Sequence, residues 1–281
     1  MIDTASLTTT RLTVDDGIGI VTLDRPDRGN AWTVRMAVEL DLILRDADTD
    51  DDVRVLVVTG AGSVFSVGAD LTSGSIDRPG DDDISPPDRP LLPSRMVKPV
   101  IAAMNGHAVG AGISFAMHCD LRVLADAAKV GFAFVRRGVI PEMGMHWVVP
   151  RVVGMAVATD LLVTGRTVGA VEALQLGLVH RVVPAGDVLS TCLELARDIV
   201  AHVAPLSAAN TKRLLWDGLD EGWEHSWERE RQAFALCASQ PDAIEGVGAF
   251  VEKREPRWTG RAGDARAERA EQGPAQPEGQ P

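Results

Sequence analysis

At 281 residues and 45% apolar composition, the chain is long enough to bury one large core with an appendage, or two modest domains. Its formal net charge of −12 argues against a nucleic-acid partner, whose phosphates need a basic face, and leaves any polyanionic ligand to local cations and backbone N–H groups. Cys119, Cys192 and Cys237 are too widely spaced for a disulfide framework or a zinc site, the histidines form no H-E-x-x-H, and no basic segment leads into a long apolar run, so neither a metal nor a membrane is expected and the protein reads as cytoplasmic.

In chain order, Arg11 to Leu23 alternates around Asp15-Asp16-Gly17 and predicts a hairpin. Thr33 is placed to cap a helix over Val34 to Ala47, with Met36, Leu40, Ile43 and Leu44 on one face. After the acidic turn 48–52, Val53 to Thr59 is an apolar run of strand length, as in a sheet covered on both faces. It ends at the glycine-bearing loop 60–71. Thr72 to Ser94, rich in Gly, Pro, Ser and Asp, is a long loop of the kind that forms a lid or stays disordered.

Lys98 to Asp120, KPVIAAMNGHAVGAGISFAMHCD, is the centre of the pattern. Pro99 to Met104 is a buried strand stopped by Asn105-Gly106, and Gly110, Ala111 and Gly112 open a helix over 113–118 whose first N–H groups have no intrahelical partner. The stretch fails the dinucleotide fingerprint, since Phe115 stands where a third glycine belongs, and fails as a nucleophile elbow around Ser114, since turn residues separate strand from helix. Two buried strands thus each end in a loop with exposed N–H groups. Either the loops are two separate tight turns, or they share one site where two donors converge on one oxygen, each worth about 2.7 to 4 kcal/mol.

Further along, 120–125 and Lys129 to Phe134 read as strands. Pro141 and Glu142 read as the first turn of a helix, and His146 would then follow four residues later on the same face. A helix over Val168 to Gly177, a strand over 178–183 and a long amphipathic helix over 188–202 precede a boundary at Pro205. Leu206 to Trp216, Gly222 to Ala238 and Pro241 to Arg254 read as helices, and 260–281 lacks an apolar face and is expected to be disordered.

FSVGADL at 65–71 followed by KPVIAAMNGHAVGAG at 98–112 resembles the enoyl-CoA hydratase and isomerase family, the crotonase superfamily. LDRPDRGNAW at 23–32, LLVTGRTVGAVEALQLGLVHRVVP at 161–184 and AFVEKREPRWTG at 249–260 extend the likeness across residues 11–261. The resemblance implies an α/β fold: a crotonase-like ββα spiral core over 1–204 and a C-terminal helical trimerisation region over 205–260, in a homotrimer or dimer of trimers. It implies an acyl-CoA thioester as substrate, no permanently bound cofactor, and a thioester carbonyl held between the N–H groups of Val67 and Ala111. Contacts to CoA would come from the backbone around Ser66, Gly68 and Ala69, from Asp70 and Gly110 in the same loops, and from Arg25, Arg28, Lys253 and Arg254.

Departures from the family pattern bear on the reaction. The two glutamates of family hydratases correspond here to Ser114 and Phe134, neither of which can orient or protonate as hydration requires. VIPEMG at 139–144 resembles the isomerase version, which makes Glu142 a proton shuttle whose pKa burial should raise against the helix dipole. The expected activity is a shift of a 3-enoyl-CoA double bond to the 2-position. Alternatives are a 2-enoyl-CoA hydratase, a hydrolase or C–C cleaving enzyme using His146, and a non-catalytic acyl-CoA binding protein.

Overall fold

A computed structural model describes residues 4–72, 85 and 87–265. Most of the long loop expected between Thr72 and Ser94, and most of the expected tail, lie outside the described residues. The chain divides between Val200 and Ala201 into two compact units.

The first unit opens with β1 (Thr10–Asp15) and β2 (Ile18–Leu23), an antiparallel hairpin in which Asp15 faces Ile18. Asp16 and Gly17 both take positive φ, as a two-residue hairpin turn requires. Helix α1 (Val34–Thr49) begins where expected, the Thr33 side chain accepting the N–H of Met36, and it buries Met36, Leu40, Ile43 and Leu44. β3 (Val55–Gly60) and β4 (Val100–Met104) are buried at every residue, because the sheet is covered on both faces. Next come β5 (Ala108–Val109), α2 (Ala111–Met117), β6 (Leu121–Ala125) and β7 (Lys129–Gly131). They are followed by α3 (Met145–Val153), α4 (Met155–Thr164), β8 (Thr167–Gly169), α5 (Ala170–Gln175), β9 (Arg181–Val183) and α6 (Val188–His202).

Two sheets result, one in the order β1-β2-β3-β4-β6-β9, parallel from β2 onward, and one in the order β5-β7-β8. Successive units each give a strand to the large sheet, a strand to the small sheet and then a helix: β4, β5, α2, then β6, β7, α3. This is the ββα spiral. Three local expectations differ. The strand expected over 129–134 stops at Gly131, and a short 3-10 turn, Val135–Arg137, closed by left-handed Gly138, takes its place. The helix expected over 168–177 is split into β8 and α5, because Val130 of β7 pairs with Val168. Glu142 lies before a helix, not in its first turn, since α3 starts at Met145.

The second unit holds α7 (Pro205–Asp217), α8 (Trp223–Ala238) and α9 (Pro241–Glu252), close to the expected spans. Arg229 ties α8 back to Asp217 at 2.7 Å and to Glu221. No helix among the described residues is long and apolar enough to cross a membrane.

Candidate active site

The loops that leave β3 and β4 lie side by side. Asn105, at the end of β4, accepts the N–H of Gly60 at 3.1 Å and donates to the carbonyls of Gly60 and Gly62, each at 2.9 Å, which locks the two strand ends together. Beyond that clamp the loops pair in parallel, Ser66 opposite Ala108, with Ser66 N–H donating to His107 O at 3.0 Å and Val109 N–H to Ser66 O at 2.9 Å. A Cβ on Gly68, at φ +91°, would stand 2.8 Å from the Val109 carbonyl oxygen and 3.4 Å from Gly110 Cα. One on Gly112 would stand 2.7 Å from Ser66 Cβ. Glycine is therefore needed where the backbones touch. With Ser66 opposite Ala108 and Gly68 against Gly110, Ala69 falls level with Ala111.

That register decides which N–H groups are open. Val67, the expected donor of the first loop, spends its N–H on the Gly29 carbonyl at 3.0 Å. Ser66 N–H is used by His107, and Gly68 N–H turns onto Ser66 Oγ at 3.2 Å. Among the described residues no acceptor faces the N–H of Ala69 or that of Ala111. The open N–H groups of the two loops are thus those of Ala69 and Ala111, and the N–H of Val67, expected as the first loop's donor, is already bonded. Gly110, at φ 56° and ψ −125°, gives its own N–H to Gly131 O at 3.0 Å and so turns the chain to leave Ala111 at the open first position of α2.

The first loop is braced from behind. Asp70, buried, receives Arg25 at 2.9 Å while Arg25 also donates to Ala31 O at 2.6 Å. Hydrogen bonds from Thr72 and then the Arg25 charge hold the Asp70 carboxyl below its ordinary value against the effect of burial. Arg25 and Asp70, expected to contact CoA, are therefore occupied with each other. Asn30, buried in a left-handed conformation, accepts Arg25 N–H and donates to Ala61 O and Val64 O, and Ser66 Oγ donates to Asn30 O at 2.8 Å. Asn30 escaped the sequence reading, although a Gly-Asn pair ending a Pro-Asp-Arg turn is a known sign of left-handed backbone. Arg28 is exposed on the same motif.

At the far end of α2, the buried His118 donates from Nε2 to the Met143 carbonyl at 2.8 Å. This places Glu142 beside the end of the helix that begins at Ala111. Met143 (φ 53°) and Gly144 (φ 68°) are both left-handed, and the Glu142 carbonyl accepts Met145 N–H at 3.2 Å. Solvent reaches the Glu142 side chain, yet the protein around it withdraws enough water to push its carboxyl above the ordinary value. Glu142 stands three residues before the start of α3, outside the first helical turn from which the dipole was expected to oppose this. For the same reason His146 does not share a helix face with Glu142; it is exposed in the first turn of α3. Ser114 is fully buried one turn before His118, and its hydroxyl has no hydrogen-bond partner among the described residues. Phe134, partly buried, lies past the end of β7.

In the second unit Lys253 closes α9 in a left-handed conformation and is exposed, whereas Arg254 is engaged by Glu245 at 2.6 and 2.9 Å and by Glu252 at 2.6 Å. Those hydrogen bonds raise the pKa of Arg254, and with Arg257 they hold Glu245 down at about 2.

The family model described as enoyl-CoA hydratase/isomerase matches residues 13–261. A "Probable enoyl-CoA hydratase" of Mycobacterium bovis is 35% identical over 88% of this chain and 96% of its own length. Carnitinyl-CoA dehydratase of Escherichia coli O157:H7 is 34% identical, over 89% of this chain and 98% of its own. The crystal structure of a probable enoyl-CoA hydratase/isomerase from Mycobacterium abscessus superposes with a TM-score of 0.83 at 39% identity, covering 90% of this chain and 99% of that one.

Proposed function

The chain belongs to the enoyl-CoA hydratase/isomerase family, and from that premise we propose that it moves the double bond of a 3-enoyl-CoA to the 2-position. The observation that carries this reading is the place of Glu142, on a left-handed turn that His118 fastens to the end of α2, the helix whose first residue bears the open N–H of Ala111. Ser114 and Phe134, at the positions of the family's hydratase glutamates, supply no carboxylate of their own.

The reaction needs one proton shuttle and one charge stabiliser. The thioester oxygen accepts the N–H groups of Ala69 and Ala111, which lowers the cost of forming the enolate. Glu142 removes a proton from C2, the electron pair spreads over the dienolate, and the same carboxyl returns the proton at C4. A carboxyl with a raised pKa is a better match to that two-way transfer than an ordinary one. No resident cofactor is called for, and the CoA thioester is the substrate. With Arg25 and Arg254 engaged by carboxylates, Arg28 and Lys253 are the cations of the predicted CoA set that form no ion pair among the described residues. We assign the assembly as a homotrimer or dimer of trimers.

Glu142→Gln tests the assignment, because it keeps size and polarity and removes the titrating group. Isomerisation, followed by the ultraviolet absorbance of the conjugated thioester, should fall by about 10² to 10⁴ while acyl-CoA binding persists. Turnover at the wild-type rate would remove Glu142 from the mechanism. The names of the relatives favour a second reading, hydration of a 2-enoyl-CoA. Rapid water addition to a 2-enoyl-CoA, surviving in Glu142→Gln, would establish it instead.

A further inference from the structure

His118 has both ring nitrogens engaged inside the protein: Nδ1 lies 2.8 Å from Ser94 Oγ and Nε2 lies 2.8 Å from the Met143 carbonyl oxygen. A carbonyl only accepts, so Nε2 carries the proton and Nδ1 of the neutral ring accepts from the serine hydroxyl. Burial, followed by the nearby charges of Arg95 and Arg122, keeps the pKa of this ring below its ordinary value despite the bond to Met143, so the neutral tautomer persists. Ser94 belongs to the short turn Pro93–Arg95 that leads into β4, and His118 caps α2. Three separate parts of the first unit therefore meet at one imidazole.

The bond lands on a strained spot. Met143 has φ 53° and is followed by Gly144 at φ 68°. A non-glycine residue held there is strained and stays only if its surroundings over-determine it. The carbonyl that His118 grips is the one joining these two residues, and Glu142 is the residue immediately before them. Helix α2 carries the open N–H of Ala111 at its first residue and His118 just past its last, about 10 Å on at 1.5 Å per residue. One short element thus connects the open N–H of Ala111 to the turn that bears the carboxyl.

We infer that Ser94 and His118 form a positioning relay which, through the Met143 carbonyl, fixes the turn that aims the Glu142 carboxyl at the acyl chain. This rests on Glu142 as the proton shuttle. Neither relay residue touches the reacting atoms. If the relay is lost, the peptide after Met143 relaxes, the carboxyl swings, and more water reaches it.

His118→Leu and His118→Gln separate positioning from simple support, because the glutamine amide can still donate to the Met143 carbonyl. In His118→Leu, kcat for a short 3-enoyl-CoA should fall about 100-fold, the scale of a 1 Å misplacement, with the acyl-CoA Kd within about twofold of wild type. The acid limb of the kcat–pH profile should move to lower pH as Glu142 regains water. His118→Gln should recover most of kcat and return the acid limb. A folded His118→Leu with wild-type kcat and an unmoved acid limb overturns the relay even when Glu142→Gln is inactive. Loss of both kcat and acyl-CoA binding without rescue by glutamine also overturns it, leaving a structural histidine. Full activity of Glu142→Gln brings down the shuttle reading and the relay with it. Should His118→Leu fail to fold, Ser94→Ala decides: it removes only the outer link, a drop in kcat of about tenfold with unchanged binding supports the relay, and unchanged kcat overturns it.

Discussion

Glu39 is a buried charge on α1, 5% exposed, and its carboxylate accepts the N–H and hydroxyl groups of Thr8 and Thr9 and the hydroxyl of Thr10 at 2.6 to 2.9 Å. Burial alone would raise its pKa, but these hydrogen bonds outweigh it and the carboxyl sits below the ordinary value of 4.5. The folded pKa is thus lower than the unfolded one. Its stabilisation is complete above the unfolded value and is lost as pH falls through the folded value. Glu39→Ala strands two backbone donors and should cost about 3 kcal/mol at neutral pH in urea unfolding, the deficit shrinking as the pH is lowered through the carboxylate range. A deficit that does not change with pH would show that the charge on Glu39 is immaterial. Residues of this kind were not legible in the sequence, because Thr8 to Thr10 and Glu39 meet only after α1 packs on the hairpin. The open N–H of the first loop was not legible for a similar reason. Motif resemblance marked the loop, but only the Gly29 carbonyl accepting from Val67 shows which N–H is left over.

Elements were read more accurately where one physical signal dominated. The continuous apolar runs of β3 and β4 and the one-sided pattern of α1 follow from burial, which period and composition record directly. The turn 141–144 was misread as helix because Pro-Glu is a common helix start, whereas the left-handed Met143 has no local signature and is held by His118 from another element. The pairing of the two donor loops was anticipated only as a possibility, and Gly68 offers its test. Gly68→Ala brings a methyl to 2.8 Å from the Val109 carbonyl oxygen at a φ of +91°, and backbone on the other side has no rotamer with which to yield. The loops must part, so kcat should fall about 10² to 10³, as when an oxyanion donor is removed, with a loss of about 1 to 3 kcal/mol in stability. Gly186→Ala is the control, since a Cβ there meets nothing within 4 Å, and it should leave both properties unchanged. Wild-type kinetics in Gly68→Ala would mean that the close approach of the loops plays no part in catalysis.

Across the whole molecule, a net charge of −12 has to coexist with a substrate that carries several phosphate charges. The overall field is therefore repulsive to such a ligand, and affinity must come from close contacts that the acidic surface does not cancel. Assembly is the other property at this scale. In the second unit, α8 exposes Trp223 and Trp227, stacked at 5.8 Å, together with Phe234, while α9 exposes Ile244, Val247, Phe250 and Val251 on one side. Ile244 is 78% and Phe250 84% exposed in the single chain. Exposed apolar residues are ordinary one at a time, but a stripe along a helix is surface that gains by being covered. The proposed homotrimer or dimer of trimers would give those residues a partner. Val247→Glu with Phe250→Glu places two charges on the stripe, and each would have to be desolvated in an apolar contact. Wild type should sediment as a trimer or hexamer and the double variant as a monomer with an unchanged far-ultraviolet circular dichroism spectrum, because neither side chain supports the fold of its own chain. A wild-type protein that sediments as a monomer across micromolar concentrations would refute the assembly outright, and an unchanged oligomer in the double variant would move the contact off α9.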